Sequence, residues 1–231
     1  MPPKNTARRL CCTPQIKRHL SGRDKRLGAF IEKTGVLGHE VSGDAFTALL
    51  RSIVGQQISS KAAQTVWERL EKFWGRKPGP KKILALDPLE IQRCGLSHKK
   101  VGYLRGVAQA ALEKRVAFSK LHELPDAEVI AQLSSLKGVG VWTAEMILMF
   151  TLGHPDVVSF GDFGIRRGFM RLYGKKEITK KDFERYRKRY SPHGSVASLY
   201  IWAAADQTDP IPVSSKSKAK RPSTASRTQR R

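Results

Sequence analysis

The sequence predicts an all-α protein. Apolar residues recur with the 3.6-residue period of a helix along most of the 231 positions, and no stretch alternates with a period of two for more than a few residues. One segment, residues 146–152, is apolar nearly all round, which is typical of a helix in the middle of a core. A chain of this length can bury a sizeable core, either as one compact domain or as two that share an interface.

The first half of the chain carries its helix signals in short polar residues and in proline. Asp44, and Ser59 or Ser60, stand where a side-chain oxygen can accept from the amides of a first helical turn. Pro88 suits a first helical position, and the glycines and prolines of residues 75–80 end the preceding helix. The helices expected here are at about 14–20, 24–32, 45–54, 59–73, 81–86, 88–94 and, after Ser97, 99–114.

The second half of the chain repeats the pattern around two breaks. A turn with two glycines separates the expected helices 126–136 and 141–152, and Gly153-His154-Pro155 follows helix 141–152. Asp162 comes after a glycine and before an amphipathic stretch, so it is expected to cap a helix. From residue 207 onward the composition predicts a disordered tail, basic and free of acids over residues 211–231. The helices expected here are 126–136, 141–152, 162–173, 180–190 and 195–206.

The charge balance predicts a polyanionic partner. The chain has 43 Lys and Arg against 20 Asp and Glu, a net charge of +23. Charge alone separates nucleic acid neither from an anionic membrane surface nor from simple solubility, but no apolar run has the roughly 18 residues that a membrane span needs. The three cysteines are too few and too scattered for a disulfide framework or a metal site, so a reducing compartment is expected.

Gly138-Val139-Gly140 lies between two predicted helices and can turn the chain sharply without an intruding side chain. The amides that open the second helix would then form a nest for an anion, reinforced by the positive end of the helix. An ordinary glycine cap with a tight turn is the alternative interpretation. Lys137 beside the turn, the net charge and the downstream Asp162 favour a phosphate site.

Asp162 is the candidate reactive carboxylate. A helix N-terminus favours the ionised form of a carboxylate, which could act on a nucleotide held beside the glycine turn. Capping alone is the alternative role, and the two are compatible. Two other acids compete for the assignment: Asp156 in a solvated loop, and Glu145, for which a basic or backbone partner is expected.

Several ordered segments resemble one enzyme family. Residues 136–144, Leu-Lys-Gly-Val-Gly-Val-Trp-Thr-Ala, resemble the helix-hairpin-helix element of DNA glycosylases, and Gly161-Asp162 resembles the end of the Gly/Pro-rich loop and the aspartate that name their superfamily. Between about residues 43 and 206, five blocks are similar to the 3-methyladenine DNA glycosylase II (AlkA-like) branch. They are residues 53–59, 94–97 with Lys100, 142–144, 162–168 and 195–202.

The resemblance implies a fold and a set of site residues. The fold is two helical subdomains, residues 12–43 with 156–210 and residues 44–155, with the active-site cleft between them. Asp162 is the implied catalytic residue, and Trp142 and Trp202 are implied walls of the base pocket, for which core packing is the alternative. Trp67 and Trp74 are expected to be plain core or surface residues. The implied DNA-binding residues, with Gln57 as the plug for the vacated base stack, are Gln56, Gln57, Ser59, Lys137, Gly138, Gly140, Val141 and Thr143.

The resemblance also implies a reaction. Strand-cutting glycosylases have a nucleophilic lysine where this chain has Trp142, so a monofunctional enzyme is expected, hydrolysing the N-glycosidic bond of alkylated purines of the 3-methyladenine and 7-methylguanine type to leave an abasic site. No metal or cofactor is expected. The partner is double-stranded DNA containing alkylated bases, without a membrane, and the chain is expected to be a monomer in the cytoplasm (nucleoid) of a prokaryote or the nucleus of a eukaryote.

Two alternatives stay open on the sequence. His193-Gly194 replaces an aromatic residue and an arginine common in related enzymes, which fits a non-catalytic helix-hairpin-helix module that binds damaged DNA. A bifunctional glycosylase and lyase is the other alternative. Three basic side chains, Lys99, Lys100 and Arg105, are either phosphate contacts or a solvated helix face.

Overall fold

A computed structural model describes residues 9–207; the predicted basic tail, 211–231, lies outside the described residues. Within residues 9–207, two short strands, β1 (Arg9–Cys11) and β2 (Gly38–Glu40), accompany twelve α-helices, one 3₁₀ helix (Phe118–Glu123) and one π-helical segment (Ile147–Leu152). The helices are α1 (Pro14–Arg23), α2 (Lys25–Thr34), α3 (Ala45–Gly55), α4 (Ser60–Trp74), α5 (Pro80–Ala85), α6 (Pro88–Arg93), α7 (His98–Leu112), α8 (Asp126–Ser134), α9 (Val141–Met146), α10 (Phe163–Tyr173), α11 (Lys180–Tyr190) and α12 (Gly194–Ala205).

The all-α prediction is confirmed, and so are its capping residues. The side-chain oxygens of Asp44, Ser59, Ser97 and Asp162 each accept from an amide in the first turn of the helix that follows, at 3.0, 3.2, 3.3 and 2.7 Å. These bonds satisfy amides that have no acceptor within their own helix. Local sequence therefore sets where these four helices begin.

Three features differ from the sequence-based expectation, and one of them is the 3₁₀ helix Phe118–Glu123, where no helix was expected. Strands β1 and β2 pair antiparallel, with Leu10 opposite His39, where no strand was predicted; three-residue strands are too short to show a two-residue alternation. The predicted helix 141–152 is α-helical only to Met146 and π-helical beyond it. A segment that is apolar on all sides gives no periodic signal from which to predict that change.

The packing of α10 and α12 positions the site. These two helices lie against each other, and α2 packs on both, so the N-terminal helices meet the C-terminal ones. Buried apolar side chains from both predicted subdomains join one core, in which Trp67 and Trp74 pack with ring centroids 5.6 Å apart. The division into two subdomains stays a prediction. No helix in residues 9–207 combines the length and the apolar character that crossing a membrane requires.

Candidate functional site

Asp162 lies at the N-terminus of α10, and only 8% of its surface is exposed. Its Oδ1 accepts from the backbone amide of Ile165 at 2.7 Å, so the carboxylate caps the helix as predicted. The positive end of α10 and the N–H donor both favour a negative charge at this position. Capping therefore holds an acid in place without neutralising it by a cation.

Two tryptophans complete the surroundings of this carboxylate. The indole Nε1 of Trp142 donates to Asp162 Oδ2 at 2.7 Å, and the indole Nε1 of Trp202 donates to Oδ1 at 2.8 Å. Trp142 is the second residue of α9, whereas Trp202 is on α12. The structure thus brings together the predicted catalytic residue and both predicted pocket residues, which lie up to 60 positions apart in the sequence.

The ring of Trp202 is fixed from two sides. A Cβ atom on Gly164 would lie 2.7 Å from Trp202 Cδ1 and 3.1 Å from Asp162 Oδ1, so only glycine leaves room for this contact. On the other side, the ring of Phe150 stacks on Trp202, with centroids 5.5 Å apart and an angle of 26° between the planes. The His39 ring meets the edge of Phe150 at 4.8 Å. An aromatic wall therefore extends from the carboxylate to strand β2.

Exposed apolar side chains surround the same point. Trp142 is 47% exposed although its N–H is bonded to Asp162, and Phe163, which follows Asp162 directly, is 69% exposed. Val141, the first residue of α9, is also exposed. Large apolar side chains in contact with solvent around one buried carboxylate are typical of a ligand-binding surface.

Glu145 is a second carboxyl close to Asp162. Its Oε2 accepts from the hydroxyl of Ser159 at 2.5 Å, and Ser159 itself is fully buried. Burial raises the pKa of Glu145, the Ser159 hydroxyl partly lowers it, and the charge of Asp162 raises it further. The hydrogen-bond partner of Glu145 is therefore a neutral side-chain hydroxyl on the loop that leads to Asp162, where a basic or backbone partner was expected. The charge of Arg187 lowers the pKa of Glu145, but the two side chains form no salt bridge among the described residues.

Asp156, the other competing acid, is occupied in capping α12. Its carboxylate accepts from the amide of Gly194 at 3.0 Å and from the hydroxyl of Ser191 at 2.7 Å. A Cβ on residue 194 would lie 2.6 Å from Asp156 Oδ1, which explains the glycine there. His193 lies against His19 of α1, with ring centroids 5.0 Å apart, and burial lowers its pKa.

The two glycines of the hairpin have different roles. Gly138 has a φ of +85°, and a Cβ there would lie 2.3 Å from the ring of Tyr103, so both backbone conformation and space require glycine. Gly140 has an ordinary φ of −91° and open space around the position of a Cβ. It precedes α9 without a capping side chain, so no side-chain oxygen accepts from the first amides of the helix.

The break after α3 is tied to this hairpin. Gln56 donates through Nε2 to the carbonyl of Gly138 at 2.8 Å, while the Lys100 ammonium donates to the carbonyls of Val54 and Gln56 at 2.9 and 2.6 Å. Burial lowers the pKa of Lys100. Gln57 is exposed and has a left-handed φ of +58°, which is uncommon for a residue other than glycine. The hydrogen bonds of Gln56 and Lys100 hold the backbone at this break, while the Gln57 side chain stays exposed to solvent.

The remaining predicted DNA-binding residues divide between surface and interior. Lys137 and Val141 are exposed, and Ser59 caps α4. Thr143 is buried, and its assignment as a DNA-binding residue stays a prediction. The Arg105 guanidinium donates to the carbonyls of Ile83, Leu84 and Leu86. Arg105 and Lys100 therefore hold the ends of neighbouring helices, which corrects the suggestion that they are phosphate contacts; Lys99 is exposed.

Comparison with known families identifies this arrangement. The family described as "HhH-GPD superfamily base excision DNA repair protein" matches residues 50–193, which include the hairpin, Asp162 and the Gln56–Gln57 break. The chain belongs to that superfamily.

Similar members of the superfamily cover most of the chain. DNA-3-methyladenine glycosylase 1 of Schizosaccharomyces pombe is 30% identical over 203 residues, covering 84% of this chain and 89% of that protein. A DNA-3-methyladenine glycosidase structure from Bacillus halodurans has a TM-score of 0.80 and 35% identity, covering 86% of this chain and 93% of that one. The S. pombe Mag1 structure, in complex with abasic DNA, has a TM-score of 0.73 and 27% identity and covers 84% and 98%.

Three residues of this HhH-GPD site were not singled out from the sequence. Phe150 was hidden in the all-apolar segment, whose sides the sequence does not distinguish. Phe163 could have been found from its position directly after Asp162, at the exposed start of a helix. His39 reaches the aromatic wall only because β2 pairs with β1, a tertiary contact that leaves no local signal.

Proposed function

We propose that this chain is a monofunctional DNA glycosylase that removes alkylated purines of the 3-methyladenine and 7-methylguanine type from double-stranded DNA. The observation that carries the proposal is the Asp162 carboxylate, held between two tryptophan indoles in a surface of exposed aromatic rings. The names of the similar proteins, 3-methyladenine glycosylases and glycosidases, support the substrate class.

The aromatic surface suits a base that carries positive charge. A purine methylated at N3 or N7 is cationic, and an electron-rich ring face attracts a cation by about 0.5 to 2 kcal/mol. The half-exposed face of Trp142 and the exposed ring of Phe163 are available for such a contact. The base must first leave the duplex, which costs least where its pairing is already damaged.

The reaction needs one carboxylate because the leaving base is already activated. The bond between the base nitrogen and the anomeric carbon breaks, and its electron pair neutralises the charge on the base. Positive charge develops on the sugar, where ionised Asp162 stabilises it. A water molecule then bonds to the anomeric carbon and releases a proton, leaving a free base and an abasic site.

The absence of lyase chemistry follows from the residue at the start of α9. A strand-cutting enzyme needs an amine beside the anomeric carbon to form a Schiff base. Here that residue is Trp142, whose indole nitrogen donates to Asp162 and has no nucleophilic lone pair. Lys137 lies before the hairpin and serves the phosphate grip instead.

The hairpin and the Gln57 turn together hold the strand. The uncapped amides after Gly140 bind a phosphate, and the exposed Gln57 side chain fills the gap left by the extruded base. The Gln56 bond to Gly138 keeps these two elements at a constant separation. We further propose that the protein acts as a monomer, in the nucleoid of a prokaryotic host or the nucleus of a eukaryotic one.

The non-catalytic alternative has lost its supporting observation. It depended on His193-Gly194, and that pair packs on His19 and Asp156, which accounts for both residues without reference to DNA.

The decisive experiment is chromatographic identification of the bases released from methylated DNA by the purified protein. The proposal predicts release of methylated purines by the parent and loss of release in Asp162→Asn. Borohydride treatment should trap no covalent adduct with abasic DNA. If the parent protein released no base, the glycosylase assignment would be wrong. If borohydride trapped an adduct, the enzyme would not be monofunctional.

A further inference from the structure

We propose that Trp142 and Trp202 are positioning residues for Asp162 as well as walls of the base pocket. Their two indole N–H groups, with the Ile165 amide, fix the carboxylate in one orientation and leave one acceptor position, on Oδ2, for the reaction. This inference rests on the proposed function, because it assigns how the reactive carboxylate of that function is held.

Hydrogen bonds occupy most of the acceptor positions of the Asp162 carboxylate. An ionised carboxylate has about four lone-pair positions, two on each oxygen. Oδ1 of Asp162 accepts from Trp202 and Ile165, and Oδ2 accepts from Trp142. The one position that remains, on Oδ2, can face the sugar cation or accept from a single water molecule.

The three groups that donate to Asp162 are all neutral N–H groups. An indole nitrogen only donates, and so does a backbone N–H, so each of the three hydrogen-bond partners of this carboxyl presents a hydrogen to it. Such an arrangement suits a carboxylate and gives no place on Oδ1 for a carboxylic proton. All three donors are neutral, so the negative charge of Asp162 is oriented by hydrogen bonds and not cancelled by a cation.

Trp142 contacts both Asp162 and solvent. Its edge is bonded to Asp162 while nearly half of the side chain is open to solvent. One rigid indole therefore offers a face to the base and an edge to the carboxylate. A base seated against that face lies at a set distance from the charge that stabilises its departure.

The chain supplies its own controls, because it has four tryptophans. Trp67 makes the same kind of bond away from the site, donating to Glu71 Oε1 at 2.6 Å. Trp74 is buried, and its Nε1 has no partner among the described residues. Two indoles thus report on Asp162, one reports on another carboxylate, and one reports on none.

A spectrum of the free protein tests the bonds without any substrate. In a nitrogen–proton correlation spectrum of labelled protein, with the four indole signals assigned by single Trp→Phe changes, Asp162→Asn should shift the signals of Trp142 and Trp202. The signals of Trp67 and Trp74 should stay in place. If all four signals stay in place, or all four move together, the inference is wrong even if methylated bases are released.

Single-turnover excision of methylated bases tests the consequence. Replacement of Trp202 by benzothienylalanine, which keeps the ring shape and puts sulfur in place of N–H, should slow excision roughly 10- to 100-fold, the range for one hydrogen bond to a charged group. Affinity for a duplex with an abasic site should stay unchanged, and so should excision by Trp67→Phe. An unchanged excision rate would overturn the inference, whereas lack of excision by the parent would overturn the proposed function.

Discussion

Asp24 and Asp162 are both buried aspartates that cap a helix, and α10 connects their surroundings. Asp24 caps α2 through the amides of Arg26 and Leu27 and is only 4% exposed. Asp162 begins α10, and Tyr173, the last residue of α10, contacts Asp24. Eleven helical residues separate the two sites by about 16 Å. In secondary structure their roles are the same.

The partners of Asp24 cancel its charge. Its Oδ2 accepts from the Tyr173 hydroxyl at 2.6 Å and from the Arg189 guanidinium at 2.9 Å, so four donors, one of them a cation, occupy the carboxylate. The hydroxyl of Tyr190 bonds to that of Tyr173, and burial raises the pKa of both tyrosines. A carboxylate with every acceptor position occupied contributes to stability and has none left for chemistry.

The partners of Asp162 leave its charge in place. Its donors are two indoles and an amide, and the charged group beside it is another acid, Glu145. The surface around it is open and aromatic. Capping geometry therefore does not distinguish a structural aspartate from the one that we propose to be reactive. What distinguishes them is the charge of their partners and the exposed aromatic side chains, Trp142 and Phe163, beside Asp162.

Asp162→Asn and Asp24→Asn test this contrast directly, and the first should have the largest effect. We expect Asp162→Asn to slow base excision by about 1,000-fold, because the charge that stabilises the sugar cation is removed. Asp24→Asn should excise at close to the parent rate when the rate is measured per folded molecule. Single-turnover kinetics on methylated DNA, corrected for the folded fraction, measure both rates. Equal losses of activity in the two variants would contradict the different roles assigned to the two aspartates.

The free energy of unfolding should show the reverse order. Asp24→Asn is expected to lower it by about 3 kcal/mol, since Arg189 and Tyr173 lose a charged acceptor. Asp162→Asn should lower it by less, about 1 kcal/mol, because no cation loses its partner and because relief of the repulsion from Glu145 offsets part of the weakened hydrogen bonds. Urea unfolding followed by circular dichroism measures both values, and a larger loss in Asp162→Asn would contradict the assigned roles.

The hydroxyl of Tyr173 tests the structural role of Asp24. Tyr173→Phe removes the bond to Asp24 and the partner of Tyr190, and should cost about 1.5 kcal/mol of unfolding free energy. Tyr186→Phe is a matched control: its ring stacks on Tyr173 with centroids 3.8 Å apart, but its hydroxyl accepts only a long bond from Arg185. Equal losses in the two variants would show that the rings, and not the hydroxyl, stabilise this cluster.

The smallest expected effect is a pH dependence near Asp162. Burial raises the pKa of Glu145 in the folded state above its unfolded value. Between the two values the folded protein holds more protons, so this group's contribution to stability falls as pH rises. Glu145→Gln lacks that loss and should gain stability relative to the parent as pH rises from the ordinary glutamate pKa. Urea unfolding at several pH values checks this; parallel stability curves would contradict it.

Much of this site could be predicted from residues that act locally. Asp162 was recognised because a helix cap depends only on the following turn, and Gly138 because a left-handed turn needs glycine whatever surrounds it. Their assignment to a DNA enzyme came from the resemblance to a family. Gln56, Lys100 and Arg105 could not be assigned in the same way, because a polar side chain that binds a distant carbonyl has the same local sequence as one that faces a ligand.

The sequence by itself determined the helices, their caps, the sharp turn at Gly138 and the strongly basic character, since each depends on neighbouring residues or on composition. Only the tertiary structure decided that Trp142 and Trp202 donate to Asp162 and that Tyr173 and Arg189 donate to Asp24. The physical reason is range. Helix periodicity and capping act over a few residues, whereas the charge left on a buried carboxylate depends on donors brought from distant helices.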